Sequence, residues 1–258
     1  MPPTRLLDLL LPVRLRAAKP RPAPGPIVVE TRLGRQEIPI VVRPAARRMI
    51  LRIDRRHGGA TLTLPRGVAR ARAEQFVLTQ IGWLEQKLAA LPDRIVFRDG
   101  ISIPYQGAPC RIVHCQPLRG ETRLVAGENG PLLCVHGPIE ALPGRVLRFL
   151  KARALAELAT ASQRHADRLG VKIGRVSIKD TVSRWGSCSA RGDLAYSWRL
   201  ILAPPFVLDY LAAHEVAHRL EMNHSVRYWR HVRSIYPDFR LAEDWLNRHG
   251  STLHNYGP

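Results

Sequence analysis

The segment His214-Glu215-Val216-Ala217-His218 sets two imidazoles four residues apart with a carboxylate beside the first. Four residues advance an α-helix by about 400°, so on a helix both rings leave one face and can grip one metal ion. Glu215 then sits next to that face, within reach of water on the ion without being a ligand. With ten histidines and eleven glutamates in 258 positions, chance supplies roughly 0.02 such segments. The plain alternative, a solvated helix face with two stray histidines, must also account for the residues that follow.

A catalytic zinc asks for three protein ligands and an open fourth position. His224 comes six residues after His218, between Asn223, which tolerates the left-handed backbone that ends a helix, and Ser225, which suits the start of the next. The chain can therefore turn and bring His224 back to a single zinc ion. Glu221 and Glu243 are competing third ligands. Three neutral imidazoles leave the full double charge on the ion and acidify its water, and Glu215 is the candidate general base.

These residues need positioning. Pro204-Pro205 opens the helix that carries them, and strands are expected near Arg175–Lys179 and Leu194–Ile201. A long helix begins with Pro143 in its first turn and ends at Gly170, with Leu147, Leu150, Ala154, Leu158 and Ala161 on one face. Two closing helices start at Ser225 and Asp238, the second stopping at Gly250. Upstream, short apolar runs from Ile27 to Leu64 read as a meander of about four strands, Val68–Ala90 as one helix, and residues 100–136 as further strands. Residues 1–26, rich in proline and arginine, read as a mobile arm. The expected fold class is α+β: a β-rich region with one helix over 27–138, then a compact catalytic region over 139–258.

The net charge is +19 and the pI about 11.1. Such a balance points to an anionic partner, which makes weak nucleic-acid or nucleotide binding an expectation to test. Only five of the forty basic residues are lysine, however, and the arginine excess travels with alanine, proline and leucine, as a GC-rich coding bias produces. The four cysteines form no CxxC pair; Cys110 and Cys115 could join, but free thiols in a reducing compartment are the expectation. No run approaches the roughly 18 apolar residues of a membrane span, and Leu6–Leu11, broken by Asp8, is too short for a signal peptide. A cytoplasmic protein with no membrane partner is expected. The oligomeric state is not encoded in any pattern we can read.

Ser183-Arg184-Trp185-Gly186-Ser187-Cys188-Ser189, then Trp198-Arg199-Leu200-Ile201-Leu202-Ala203-Pro204, the helix of His214, His224-Ser225 and Trp229 together resemble the bacterial YgjP-like metallopeptidase family, whose relatives are the SprT-like and WLM zincins. The likeness is dense over 180–250 and fainter back to about residue 28, through Ile81-Gly82-Trp83-Leu84. Ser197 departs from the family's asparagine, and Tyr228 from its phenylalanine. The resemblance implies a zincin core in which the strand before the active-site helix, Tyr196–Leu200, lies along the cleft and offers a free edge to a peptide. Arg184 or Arg199 could stabilise an oxyanion, though a hydrogen-bonded structural arginine is an equal reading for each. Trp185, Trp198 and Trp229 read as core, and Cys188 as structural.

Three functions follow. A zinc metallopeptidase acting on protein or peptide is the leading one. A UTP pyrophosphohydrolase, an activity the resemblance also implies, would suit an arginine-rich cleft, but the sequence has no P-loop and no acidic magnesium cluster. A DNA-associated protease or nucleic-acid-binding protein would use the net charge; Glu215 argues against a purely structural metal.

Overall fold

The computed structural model describes residues 25–54, 59–91, 94–117, 119–128, 130–181 and 184–257. Most of the expected arm, residues 1–24, therefore lies outside the described residues, as does Ser183. By contacts the chain forms two compact units that divide between residues 89 and 90.

In the first unit β1 (Ile27–Thr31) and β2 (Gly34–Ile38) form an antiparallel hairpin, closed by Arg32-Leu33 with Gly34 at φ +93°. β3 (Ile40–Val42), β4 (Ile50–Asp54) and β5 (Gly59–Leu64) form a second sheet in the order β3-β5-β4, with β3 parallel to β5. Five strands thus replace the expected meander of four. Pro39 separates β2 from β3: it has no N–H to donate to a ladder, while its carbonyl accepts from Leu62 N at 2.9 Å. The single helix expected over 68–90 is two, α1 (Arg70–Thr79) and α2 (Ile81–Ala89), broken at Gln80, whose N–H bonds back to Val77. Ala60, Leu62 and Leu64 alternate inward from β5 and meet Ala73, Val77 and Leu84 in one core.

In the second unit β6 (Ile95–Val96) precedes a four-stranded sheet of β7 (Ser102–Tyr105), β8 (Ala108–His114), β9 (Arg123–Val125) and β10 (Leu132–Val135), ordered β7-β8-β10-β9. α3 (Leu142–Leu169) follows, ended by Gly170 in the left-handed conformation at φ 65°. Val146, Leu150, Ala154, Leu158 and Ala161 recur at helical spacing and are buried in one cluster with Ile103, Ile112, Leu133 and Val135. The contact boundary therefore falls at residue 90, whereas the sequence reading sets it at 139: strands 95–135 share the core of α3. The expectation of free thiols fails for two cysteines. Cys115 and Cys134, brought together at the ends of the parallel pair β8 and β10, form a disulfide, while Cys110 and Cys188 are free.

β11 (Val176–Lys179), β12 (Gly186–Cys188) and β13 (Leu194–Ser197) form a sheet in the order β11-β13-β12. The expected strand Leu194–Ile201 stops early. Ser197 Oγ accepts from Arg199 N, and Trp198–Leu202 is a buried 3₁₀ turn leading into α4 (Pro205–Ala217). α5 (Val226–Ile235), α6 (Phe239–His249) and β14 (Tyr256–Gly257), which pairs with β6, complete an α+β chain. Among the described residues no helix is long and apolar enough to cross a membrane.

Candidate active site

α4 is buried on most sides: Val207, Ala212, Ala213 and Val216 are each fully inaccessible. Its remaining face turns Tyr210, Leu211, His214, Glu215 and His218 into a cleft of about 520 Å³. The helix ends at His218, and the next six residues reverse the chain. Asn223 takes no left-handed backbone; instead its Oδ1 accepts from Ser225 N at 3.0 Å, and Ser225 Oγ accepts from Tyr228 N at 3.3 Å to start α5. This turn carries His224 back until its Nε2 lies 3.2 Å from His214 Nε2. One ligand atom from each of His214, His218 and His224 lies within 4.8 Å of the others.

The second nitrogen of two rings is engaged. His218 Nδ1 lies 3.0 Å from the Glu221 carbonyl, which can only accept, so this nitrogen carries the proton and Nε2 keeps its lone pair. His214 Nδ1 lies 3.3 Å from Tyr210 Oη, and Tyr210 donates to Glu243 Oε1 at 3.0 Å. The hydroxyl proton is thus committed to the carboxylate and the phenol oxygen faces an Nδ1–H. Tyr228 holds the same helix turn, donating to the His214 carbonyl at 3.0 Å while its ring stacks on His218 with centroids 4.6 Å apart. Burial, with His218 and His224 adding to it, pushes the His214 imidazolium down to about 3; burial also lowers His218. Both rings are neutral near pH 7, the form that ligates a cation. Three imidazole nitrogens, two of them on rings oriented by outer partners, fit a borderline-soft divalent ion such as zinc.

Each of the competing ligands has another partner. The Glu221 carboxylate lies 3.7 Å from the Arg227 guanidinium, and Glu243 holds Tyr210. Glu215 is only 4% exposed, and its carboxyl is pushed up to about 8 by burial, with Arg184 opposing in part. Gly186 of β12 packs directly on it: a Cβ there would stand 2.7 Å from Glu215 Cγ and Cδ.

The strand along the cleft is β12, which corrects the assignment to Tyr196–Leu200. β13 is central in its sheet, with β11 on one side and β12 on the other, so it has no free edge. Along β12, Trp185 O accepts from Ser197 N and Ser189 N donates to Asp193 O. The two-residue alternation of an antiparallel ladder then turns the backbone groups of Gly186 and Cys188 away from β13. The two arginines separate. Arg199 is buried, pairs with Asp180, donates to the Tyr256 carbonyl and covers the Trp198 ring, whereas Arg184 lines the cleft. Trp198 is core, but Trp185 lines the cleft and stacks on His254. Cys188 also lines the cleft; burial raises its thiol pKa, so it stays protonated near neutrality and is a poor nucleophile.

Tyr210, Tyr228 and Gly186 were not picked out as site residues by sequence reasoning. Tyr210 was detectable in principle, since it sits one helical turn before His214.

The α+β fold with this cleft is of the metallopeptidase class, the class in which the matching family stands. Residues 47–249 match the YgjP-like, metallopeptidase domain family, and the chain belongs to that family. It is accordingly a hydrolase, with a protein or peptide substrate and a divalent metal implied by the family. The crystal structure of the metallopeptidase zymogen of Pyrococcus abyssi abylysin is similar over 39% of this chain and 99% of that one, at 21% identity and a TM-score of 0.34. No curated protein matches the chain.

Proposed function

We propose that the chain is a zinc-dependent metallopeptidase in which His214, His218 and His224 hold one ion and Glu215 is the general base. The observation that carries this reading is the approach of His224 Nε2 to His214 Nε2 on the cleft wall that also bears Glu215. Zinc in that position would supply a Lewis acid that polarises a carbonyl and makes water more acidic. The chain's own residues do the rest. β12 offers its outward backbone groups to an extended peptide and sets the scissile carbonyl over the histidines. Glu215, which a divalent cation held by the histidines would keep ionised, accepts the proton of the attacking water and delivers it to the departing amine nitrogen, so one carboxylate serves both halves of the reaction. Arg184, at the cleft margin, supplies positive charge for the developing oxyanion.

A nucleotide substrate is less well served. Among the described cleft-lining residues Arg184 is the sole arginine or lysine, against two carboxylates, Glu215 and Glu243. The basic residues that suggest polyanion binding lie elsewhere on the chain.

The test is a paired panel, zinc-loaded wild type and Glu215→Gln, each incubated with casein, UTP and DNA-bound protein. Wild type is expected to cleave casein while Glu215→Gln binds zinc and does not. UTP hydrolysis without peptide cleavage, or equal activity of the two proteins, would overturn the reading.

A further inference from the structure

We infer that the cleft selects a substrate with a cationic side chain, lysine or arginine, next to the scissile bond, and that Glu243 receives it. The inference rests on the peptidase reading above and names the substrate class for that site.

α6 presents Glu243, Leu246 and Asn247 to the cleft, the i, i+3, i+4 spacing of one helix face. Leu211 and Met222 also line it, so apolar side chains share the cleft with the carboxylate. A long methylene stem with a positive head matches such a lining: the stem lies on the leucines and the head meets the carboxylate.

The state of Glu243 is the second observation. This chain carries forty basic residues, and two nearby carboxylates have cationic partners: Asp244 lies 3.8 Å from Arg248, and Glu221 lies 3.7 Å from Arg227. Among the described residues Glu243 makes no ion pair. Its one hydrogen bond there is the 3.0 Å bond accepted at Oε1 from Tyr210, which fixes the carboxylate in the cleft and leaves Oε2 for a ligand. Arg184, the cationic side chain of the cleft, acts on Glu215 instead. A carboxylate held in place by a buried tyrosine, and left without a cation in so basic a chain, is a recognition group.

Glu243→Gln separates recognition from support of Tyr210, because the amide oxygen still accepts the tyrosine proton while the charge is gone. Zinc-loaded wild type and Glu243→Gln are each given a randomised peptide mixture, and cut sites are read by mass spectrometry. Wild type is expected to enrich lysine or arginine about tenfold at one position flanking the cut. Glu243→Gln loses that enrichment. A readout without turnover uses zinc-loaded Glu215→Gln: by fluorescence anisotropy it binds an arginine-containing peptide more tightly than the glutamine version, a preference absent from Glu215→Gln/Glu243→Gln. Wild-type cleavage with no cationic enrichment overturns this inference alone, and that profile decides the matter even if a variant does not fold. Full enrichment retained in Glu243→Gln also overturns it. Failure of wild type to cleave, together with failure of Glu215→Gln to bind, overturns the peptidase reading as well.

Discussion

Gly186 lies against the Glu215 carboxylate so closely that a methyl group on residue 186 would stand 2.7 Å from Glu215 Cγ and Cδ. The strand along the cleft and the proposed general base are therefore packed as one unit. Gly186→Ala should push the carboxylate aside and lower kcat roughly 100-fold, the scale of a 1 Å misplacement of a reacting group. Zinc affinity should stay within a few fold of wild type. Peptide turnover and chelator competition on the same preparation check this, and unchanged turnover would show that Glu215 need not sit there.

The chain Glu243, Tyr210, His214 makes a second prediction. Tyr210 accepts from His214 only while its own proton goes to Glu243. Tyr210→Phe removes the hydroxyl and keeps the ring, so zinc affinity should fall about 10- to 100-fold, as for other outer partners of metal ligands. Competition with a chromogenic chelator measures it directly.

In the metal-free protein Glu215 and His214 act on stability with opposite signs. The Glu215 carboxyl, raised to about 8 from 4.5, keeps its proton in the folded state while the unfolded chain has released it, so stability falls as pH rises through that window. His214, lowered to about 3 from 6.5, is neutral when folded and charged when unfolded, so stability is lost as pH falls from 6.5 toward 3. The two oppose each other between 4.5 and 6.5. Above 6.5 the Glu215 contribution stands alone, and Glu215→Gln should gain about 2 kcal/mol on wild type between pH 6.5 and 8. Urea denaturation of both metal-free proteins across this range tests the sign and size.

Support for α4 reaches it from the sheet. The β7–β8 turn, Gln106-Gly107, donates its N–H groups to the carbonyls of Ile201 and Leu202, and a Cβ on Gly107 would stand 2.8 Å from the Pro204 ring at the start of α4. Gly107 also has φ +80°, a conformation that costs a residue with a Cβ about 1 kcal/mol. Gly107→Ala should destabilise the protein by about 1–3 kcal/mol in urea titrations.

The three histidines proposed to hold the metal could be read as a group because their spacing is local. His214 and His218 stand four positions apart, and the Ser225 signal acts within the first turn of α5, whereas Asn223 takes part through its side chain and not through the left-handed backbone expected of it. The helix ended by Gly170 was equally plain, since glycine suits the left-handed cap. What escaped was order across the chain. The parallel pairings β3 with β5 and β8 with β10 join strands that are not neighbours in sequence, and nothing in the alternation of Leu194–Ser197 says that β12 occupies its outer edge. The Cys115–Cys134 disulfide was missed for the same reason, as it depends on the register of β8 against β10. The Glu243–Tyr210 bond spans 33 residues and needs α6 packed on α4.

The central claim is that three imidazoles hold one zinc ion. Zinc-edge X-ray absorption on the loaded protein, with stoichiometry from mass spectrometry, tests it most directly. One equivalent with three imidazole nitrogens in the first shell and no sulfur is the expected result for wild type, with loss of one imidazole and much weaker binding in His224→Ala. A sulfur in the shell, which would implicate Cys188, or wild-type affinity in His224→Ala would contradict the account.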